Sequence, residues 1–363
     1  MKKMSSATLA FTFTGCFLGA GYVSGQELYQ FFGAFGAKGI LGLLLAVGLL
    51  GALNMMLIYI VSRTKCAHID RAVVGAEIKP LLLAVGILEV VIFFGTFVVM
   101  AAGAGALVET LTGLAHAHIW GSLLFCTVIA FIAVRGISAL VRLFSGVVPF
   151  LVLLTVAVGV AAVFRYGAGG FTFRVSSEYN PLIPNALLGA LTFSSYNLFC
   201  SVGVLCPVGL RIRSLRSAAK GTVFGCVMLI FVAFSVLFSL AVLPEAAGES
   251  LPMLAVAKSL APPLMYVYAL LLFLAMSGAS LACLIPTVTY LAERSRWAER
   301  HGAVVTFAAS GIAFLLSCFG FADLVGTVFS SFGYVAFVAV AGIARHFAAI
   351  LQNNTKSSNE GLR

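Results

Sequence analysis

Phe13-Thr14-Gly15-Cys16-Phe17-Leu18-Gly19-Ala20-Gly21-Tyr22-Val23-Ser24-Gly25-Gln26-Glu27 decides how this chain is built. The stretch is apolar enough to enter a bilayer, yet it holds four glycines and ends in a polar run. Each glycine weakens a helix by about 1 kcal/mol relative to alanine. The Gly15/Gly19 and Gly21/Gly25 pairs fit a small-xxx-small packing pattern, which by itself explains a glycine pressed on a neighbouring helix. Gly19-Ala20-Gly21 reads differently. Counted at about 1.5 Å per residue from near Thr8, it lies about 17 Å deep, close to the bilayer midplane. Ser24-Gly25-Gln26-Glu27 follows at once and cannot face lipid cheaply. A break at the triplet is therefore expected, lining a water-filled cavity, the one place where unwound backbone is tolerated at that depth. Freed carbonyls there can hold a cation. The helix restarting near Gly21 aims its N–H groups at a carboxylate.

The rest of the chain agrees with a membrane reading. Of its 363 residues, 61% are hydrophobic and only 9% charged, and the mean hydropathy is +1.11. Soluble domains carry about 25% charged residues. A soluble enzyme, a disordered chain and a disulfide-stapled module are excluded. A bilayer core of about 30 Å asks for about 20 apolar residues per helix. On that ruler ten spans are expected, at 7–32, 39–62, 80–108, 118–134, 142–164, 184–206, 218–243, 264–291, 303–320 and 325–350. They form one transmembrane domain over 1–350, with a disordered cytoplasmic tail at 351–363. Placing the N-terminus in the cytoplasm leaves four of the 22 basic residues outside (Lys38, Arg165, Arg174 and Lys258) and the other eighteen inside. The positive-inside rule reads this as both termini cytoplasmic, in a bacterial inner membrane. The net charge of +10 is thus topological and calls for no nucleic-acid partner. Glu249 to Pro263 reads as an amphipathic hairpin capping an outer vestibule.

Span six carries Thr192, Ser194, Ser195, Tyr196 and Asn197 at mid-depth, with Gly203 and Pro207 beyond. A second interruption is expected there. Breaks in spans one and six divide the ten into 1–164 and 184–350, five spans each, which an odd number makes opposite in orientation. That is the inverted-repeat logic of secondary transporters. In span eight, Ser277 and Ser280 share one helical face, and their hydroxyls suit a hard cation such as Na+; the competing reading is that each bonds its own helix. Glu89, about 13 Å into span three, is either a proton carrier or the partner of a buried polar group. Glu27 is placed to receive a substrate ammonium. Phe93, Phe94, Phe97, Tyr22 and Tyr196 are candidates for an apolar wall. No Walker A, GxSxG or HExxH pattern occurs, and most of the eight cysteines sit singly in apolar runs.

The run GAGYVSGQELYQFF, residues 19–32, resembles the opening motif of the YkvI-type bacterial membrane proteins, which are similar to the amino acid–polyamine–organocation superfamily and its LeuT-like fold. The resemblance implies an all-α, five-plus-five inverted repeat with spans one and six discontinuous and a substrate held between them. It implies that Gly19, Ala20 and Gly21 offer backbone to a substrate carboxylate, that Ser194, Ser195 and Tyr196 face them, and that Ser277 and Ser280 match the cation-binding end of span eight. The lysine that some proton-coupled relatives place in span five is missing here, which leaves Na+, or a proton on Glu89, as the driver. The expected function is a secondary active transporter of a small zwitterion, most plausibly an amino acid, coupled to Na+ or H+ by alternating access. The expected partners are the solute, the coupling cation and the bilayer, with no obligate protein partner. The only cofactor expected is a bound Na+. The alternative is a receptor that senses an amino acid on the same fold without moving it. No enzyme is expected.

Overall fold

Ser5 starts the first helix. Its hydroxyl accepts from Thr8 N at 3.1 Å and caps α1, Ser6–Phe17. The helix stops there. Leu18 (ψ 55°) and Gly19 (ψ −172°) are not helical, and Gly19 N donates to Phe17 O at 2.8 Å, so Gly15 O loses its helical donor. The chain winds again as α2, Ala20–Ser24. Gly25, at φ +91°, then turns it into α3, Gln26–Phe31, a conformation that glycine adopts without steric cost. The first apolar segment is therefore three short helices joined at two non-helical points.

This computed structural model describes residues 4–65, 69–135, 137–167 and 180–360. Helices follow one another as α4 (Ala37–Thr64), α5 (Ile69–Val74), α6 (Lys79–Thr112), α7 (Ala117–Ala133), α8 (Ile137–Tyr166), α9 (Ala186–Gly209), α10 (Leu215–Val242), α11 (Pro252–Leu260), α12 (Pro262–Arg294), α13 (Arg296–Arg300), α14 (Gly302–Ser317) and α15 (Phe321–Leu324). A π-helical turn, Val325–Phe329, leads into α16 (Ser330–Glu360). Among the described residues the nearest thing to a sheet is one isolated parallel bridge, Met4 to Ile212. Among the described residues seven helical stretches are long and apolar enough to cross a membrane: 37–64, 79–112, 146–166, 186–209, 215–242, 262–294 and 321–352. Three shorter apolar helices, Ser6–Phe17, Ala117–Ala133 and Gly302–Ser317, fall where spans one, four and nine are expected. Large apolar side chains such as Leu41, Phe131, Leu153, Phe164 and Leu315 stand exposed on the outside. Contiguous exposure of that kind suits a surface turned to lipid rather than to water.

α9 is the enclosed element, with 78% of its central window buried against 33% for the last apolar stretch. It lies between α4 and α16, and α1 packs on α10 and α8. α6 packs along α12 and α7. The broken first segment thus ends up facing α9, α12 and α6 at the centre of the bundle.

Two expectations change. Span six is not interrupted, because α9 runs unbroken from Ala186 to Gly209. Its polar residues return their hydrogen bonds to their own helix: Thr192 Oγ1 to Leu188 O, Ser194 Oγ to Ala190 O, Ser195 Oγ to Thr192 O and Asn197 Nδ2 to Phe193 O, at 2.6–3.0 Å. Polar side chains satisfied this way do not unwind a helix. α16 also continues to Glu360, through most of the segment expected to be a disordered tail, while 361–363, like Arg174, lie outside the described residues. The outer segment before span eight does carry the expected short helix. In α11, Met253, Leu254, Val256 and Ala257 are buried, and Met253 reaches the Gly25 turn.

Candidate functional site

The break in the first segment brings Glu27 back toward the bundle centre. From the start of α3 its side chain lies along Gly21, so closely that a Cβ on Gly21 would sit 2.5 Å from Glu27 Oε2. The carboxylate is 4% exposed. Its other oxygen, Oε1, accepts the Tyr196 hydroxyl and Asn197 Nδ2 (3.4 Å), both from mid-α9. Residues 169 and 170 positions apart in sequence thus meet at one atom, and the meeting ties the broken segment to the enclosed helix. The Tyr196 ring stacks on Phe329 of the π-helical turn (4.9 Å, 14°) and meets Phe31 and Phe193. Aromatic rings therefore wall this carboxylate.

Of the span-six residues singled out from sequence, Tyr196 and Asn197 point to the break, and Ser194 and Ser195 do not. Ser194 Oγ reaches Ala46 O of α4 at 3.1 Å, and Ser195 Oγ reaches Gly333 O of α16 at 2.6 Å. Those two hydroxyls fasten α9 to its neighbours. A helix has several faces, and the sequence pattern did not tell which polar residue shares the face of Tyr196.

At Gly19 an added Cβ would lie 3.2 Å from Met100 Sδ and 3.4 Å from Ala279 Cβ, so α6 and α12 both press on the break. Next to Ala279 stands Ser280, fully buried, whose hydroxyl has no hydrogen-bond partner among the described residues. Ser277 spends its hydroxyl on Phe273 O of its own helix at 2.8 Å. The pair thus divides: Ser277 is satisfied locally and Ser280 is left with an unmet oxygen beside the non-helical backbone. A hard cation takes oxygen ligands of this kind, carbonyls and hydroxyls, and several are needed. No group of three or more His, Cys, Asp or Glu side chains with metal-holding geometry occurs among the described residues.

Glu89 lies elsewhere. It is 6% exposed on α6, within electrostatic reach of Asp70, Arg294 and Glu293. Arg294 Nη2 pairs with Asp70 Oδ2 at 3.1 Å, and its guanidinium lies 3.5 Å over the Tyr290 ring. Tyr290 in turn presses on Gly86, one turn before Glu89. Glu89 therefore shares a charged cluster with an arginine at the far end of α12 and does not touch the break.

Two tyrosines at the break were not foreseen in these roles. Tyr22 Oη donates to Leu229 O of α10 at 2.9 Å, and Tyr268 Oη of α12 donates to Val23 O at 2.8 Å. The Gly25 turn takes the helical donor away from carbonyls at the end of α2, and a buried carbonyl needs a replacement. Tyr268 supplies it. Gln30 Nε2 of α3 donates to Ala322 O of α15 at 3.3 Å, and Asn180 Nδ2 donates to Gly326 O of the π-helical turn at 2.8 Å. Away from the break, His118 Nδ1 lies 3.2 Å from Glu109 Oε2.

Comparison with known proteins places this arrangement. No family model matches the chain. It is 27% identical over 349 residues to the uncharacterized membrane protein YkvI of Bacillus subtilis (strain 168), covering 94% of this chain and 96% of that one. It is 26% identical over 224 residues to the uncharacterized protein YyaD of the same organism, covering 60% and 62%. Among solved structures it superposes on MhsT in complex with L-phenylalanine with a TM-score of 0.71 at 18% identity, over 95% of this chain and 89% of that one. It superposes on Mhp1, a nucleobase-cation-symport-1 family transporter, in a closed conformation with bound bromovinylhydantoin, with a TM-score of 0.67 at 12% identity, over 93% and 78%. The chain is thus a homologue of YkvI along nearly all of both proteins, on the LeuT-like fold that MhsT and Mhp1 share.

Proposed function

We propose that this chain is a secondary active transporter that moves a small zwitterionic solute, an amino acid first among them, across a bacterial inner membrane by alternating access. Driving ion and solute meet where the first segment is broken. The single observation that carries the reading is the break at Leu18–Gly19 followed by a buried Glu27 carboxylate that lies against Gly21 and accepts from Tyr196 and Asn197 of α9. Backbone left unpaired at mid-bilayer is tolerated only where it serves a polar occupant. Gly19, Ala20 and Gly21 supply peptide groups for the solute carboxylate, Glu27 supplies negative charge for its ammonium, and Tyr196 and Asn197 hold Glu27 in place. Ser280 and the carbonyls near Gly15 are the donors a Na+ would use. The five-plus-five repeat belongs to the same reading, as does the cytoplasmic placement of both termini. It rests on the apolar segments, the charge bias and the likeness in fold.

The test is flux into proteoliposomes containing the purified protein, with radiolabelled L-phenylalanine first, because MhsT binds it, and then the other common amino acids. Each is run with an imposed Na+ gradient and with an imposed pH gradient. Concentrative uptake that vanishes when the gradient is collapsed supports the proposal. Saturable binding without flux for every gradient would make the chain a receptor.

A further inference from the structure

Glu27 is a buried carboxylate without a basic partner. Ion pairs join Arg71 to Glu77, His118 to Glu109 and Arg294 to Asp70, and Glu27 takes part in none of them. α3 packs against α2, α9, α10, the π-helical turn and the short turn Gly33–Phe35. α2 presents Tyr22, α9 presents Tyr196 and Cys200, and α10 presents Cys226, which faces Tyr22. The π-helical turn and the short turn Gly33–Phe35 contain no titratable side chain. No lysine, arginine or histidine stands among these groups. An unpaired charge in such a place is expensive, so a positive charge has to arrive from outside the protein's own side chains.

The chemistry around the carboxylate selects that charge. Both groups on Oε1, the Tyr196 hydroxyl and the Asn197 amide, are donors. They suit an anion and offer no oxygen shell to a metal cation, which requires several acceptor ligands. Oε2 is wedged against Gly21. A proton needs one lone pair and no shell. We infer that Glu27 is the site that takes up and releases a proton during the working cycle, standing in for the solute's ammonium when that is absent. This deepens the transport reading and rests on it for its purpose, but its chemistry is testable without any solute. The step is a simple one. A proton from water forms an O–H bond at Oε2, the carboxylate becomes a carboxyl, and Tyr196 keeps its own proton throughout. Hydrogen bonds to an ionised acceptor are roughly twice as strong as neutral ones. Proton uptake therefore loosens the hydrogen-bonded link between α3 and mid-α9, and release tightens it. Glu89 stands apart from this link, among Asp70, Glu293 and an Arg294 already paired with Asp70, and any band of its own is identified by its loss in Glu89→Gln.

Infrared difference spectroscopy of the purified protein in lipid, titrated with pH and with no solute present, is the decisive experiment. A carboxylic C=O band should appear and disappear reversibly. It should be lost in Glu27→Gln, retained in Glu89→Gln, and displaced in frequency and midpoint in Tyr196→Phe, a shift that a purely structural tyrosine would not cause. Dicyclohexylcarbodiimide, which reacts with protonated carboxyls in apolar surroundings, should label the wild-type peptide containing Glu27 and do so less as pH rises. That second arm needs no variant to fold. Titrating bands that are all unchanged in Glu27→Gln, or a Glu27 that stays unlabelled at every pH, overturn the inference. The transport reading stands or falls separately on L-phenylalanine and amino-acid flux.

Discussion

Gly21→Ala tests whether Glu27 truly leans on the broken segment. A Cβ there would lie 2.5 Å from Glu27 Oε2 and 2.9 Å from Glu27 Cβ, where ordinary contact begins at 3.4 Å. The carboxylate would have to retreat by about 0.9 Å and the Cβ by about 0.5 Å, the differences between those distances. Overpacking of this order costs about 1–3 kcal/mol. A displaced carboxylate also weakens its bond from Tyr196, and hydrogen bonds to charged groups are worth about 1.5–3 kcal/mol. Against this, alanine is a better helix former than glycine by about 1 kcal/mol. The net expectation is a loss of roughly 2 kcal/mol. Thermal unfolding of the purified protein in one fixed detergent measures it. The companion Glu27→Ala removes Oε2 and Cδ, so the double variant should recover part of the loss, with a coupling of about 1 kcal/mol or more. If the two single effects add to within about 0.5 kcal/mol, the carboxylate does not rest on Gly21 and the site described here is wrong.

Tyr268→Phe leaves Val23 O buried without a donor, which should cost about 1–3 kcal/mol and raise hydrogen exchange of the α2 amides. Gly25→Ala forces an L side chain to φ +91°, with Val236 Cγ1 only 3.0 Å away; a loss of about 1–2 kcal/mol or more is expected from the backbone alone, read by thermal unfolding. Ser280→Ala removes a hydroxyl that has no protein partner. It should therefore leave stability in Na+-free buffer nearly unchanged while abolishing any rise in melting temperature that Na+ gives the wild type by mass action. Gly86→Ala would push the Tyr290 ring out from under Arg294, with an overpacking loss of about 1–3 kcal/mol that Tyr290→Ala should relieve.

The break in the first segment was legible because its cause is local: glycines at mid-depth followed by a polar run that lipid would reject. The second expected break was not, because polarity alone does not distinguish a side chain that leaves its helix from one that bonds back to it. Thr192, Ser194, Ser195 and Asn197 all bond back. The meeting of Glu27 with Tyr196 and Asn197 was partly legible. Each residue stood out, but the Gly25 turn that swings Glu27 inward depends on the packing of α10 and α11 around it. Glu89 was visible as an intramembrane carboxylate, whereas its neighbour Arg294 lies about two hundred positions away and only the fold joins them. Ser277 and Ser280 looked equivalent at helical spacing, and one hydrogen bond separates them.

The two tyrosine hydroxyls that fasten α2 have a mechanical meaning. Tyr22 anchors its own helix to α10, and Tyr268 anchors the same helix to α12 from the opposite direction. α2 is thereby pinned like a keystone, with a swivel at Leu18–Gly19 beneath it and another at Gly25 above. Swinging the N-terminal arm away from its neighbours works against the fastenings of Met4 to Arg211, Ser6 to Ser217 and Thr14 to Gly225. Lifting the other arm must work against Gln30, Glu27 and their partners. One short helix is thus the post from which two arms hang, and each arm has fastenings of its own.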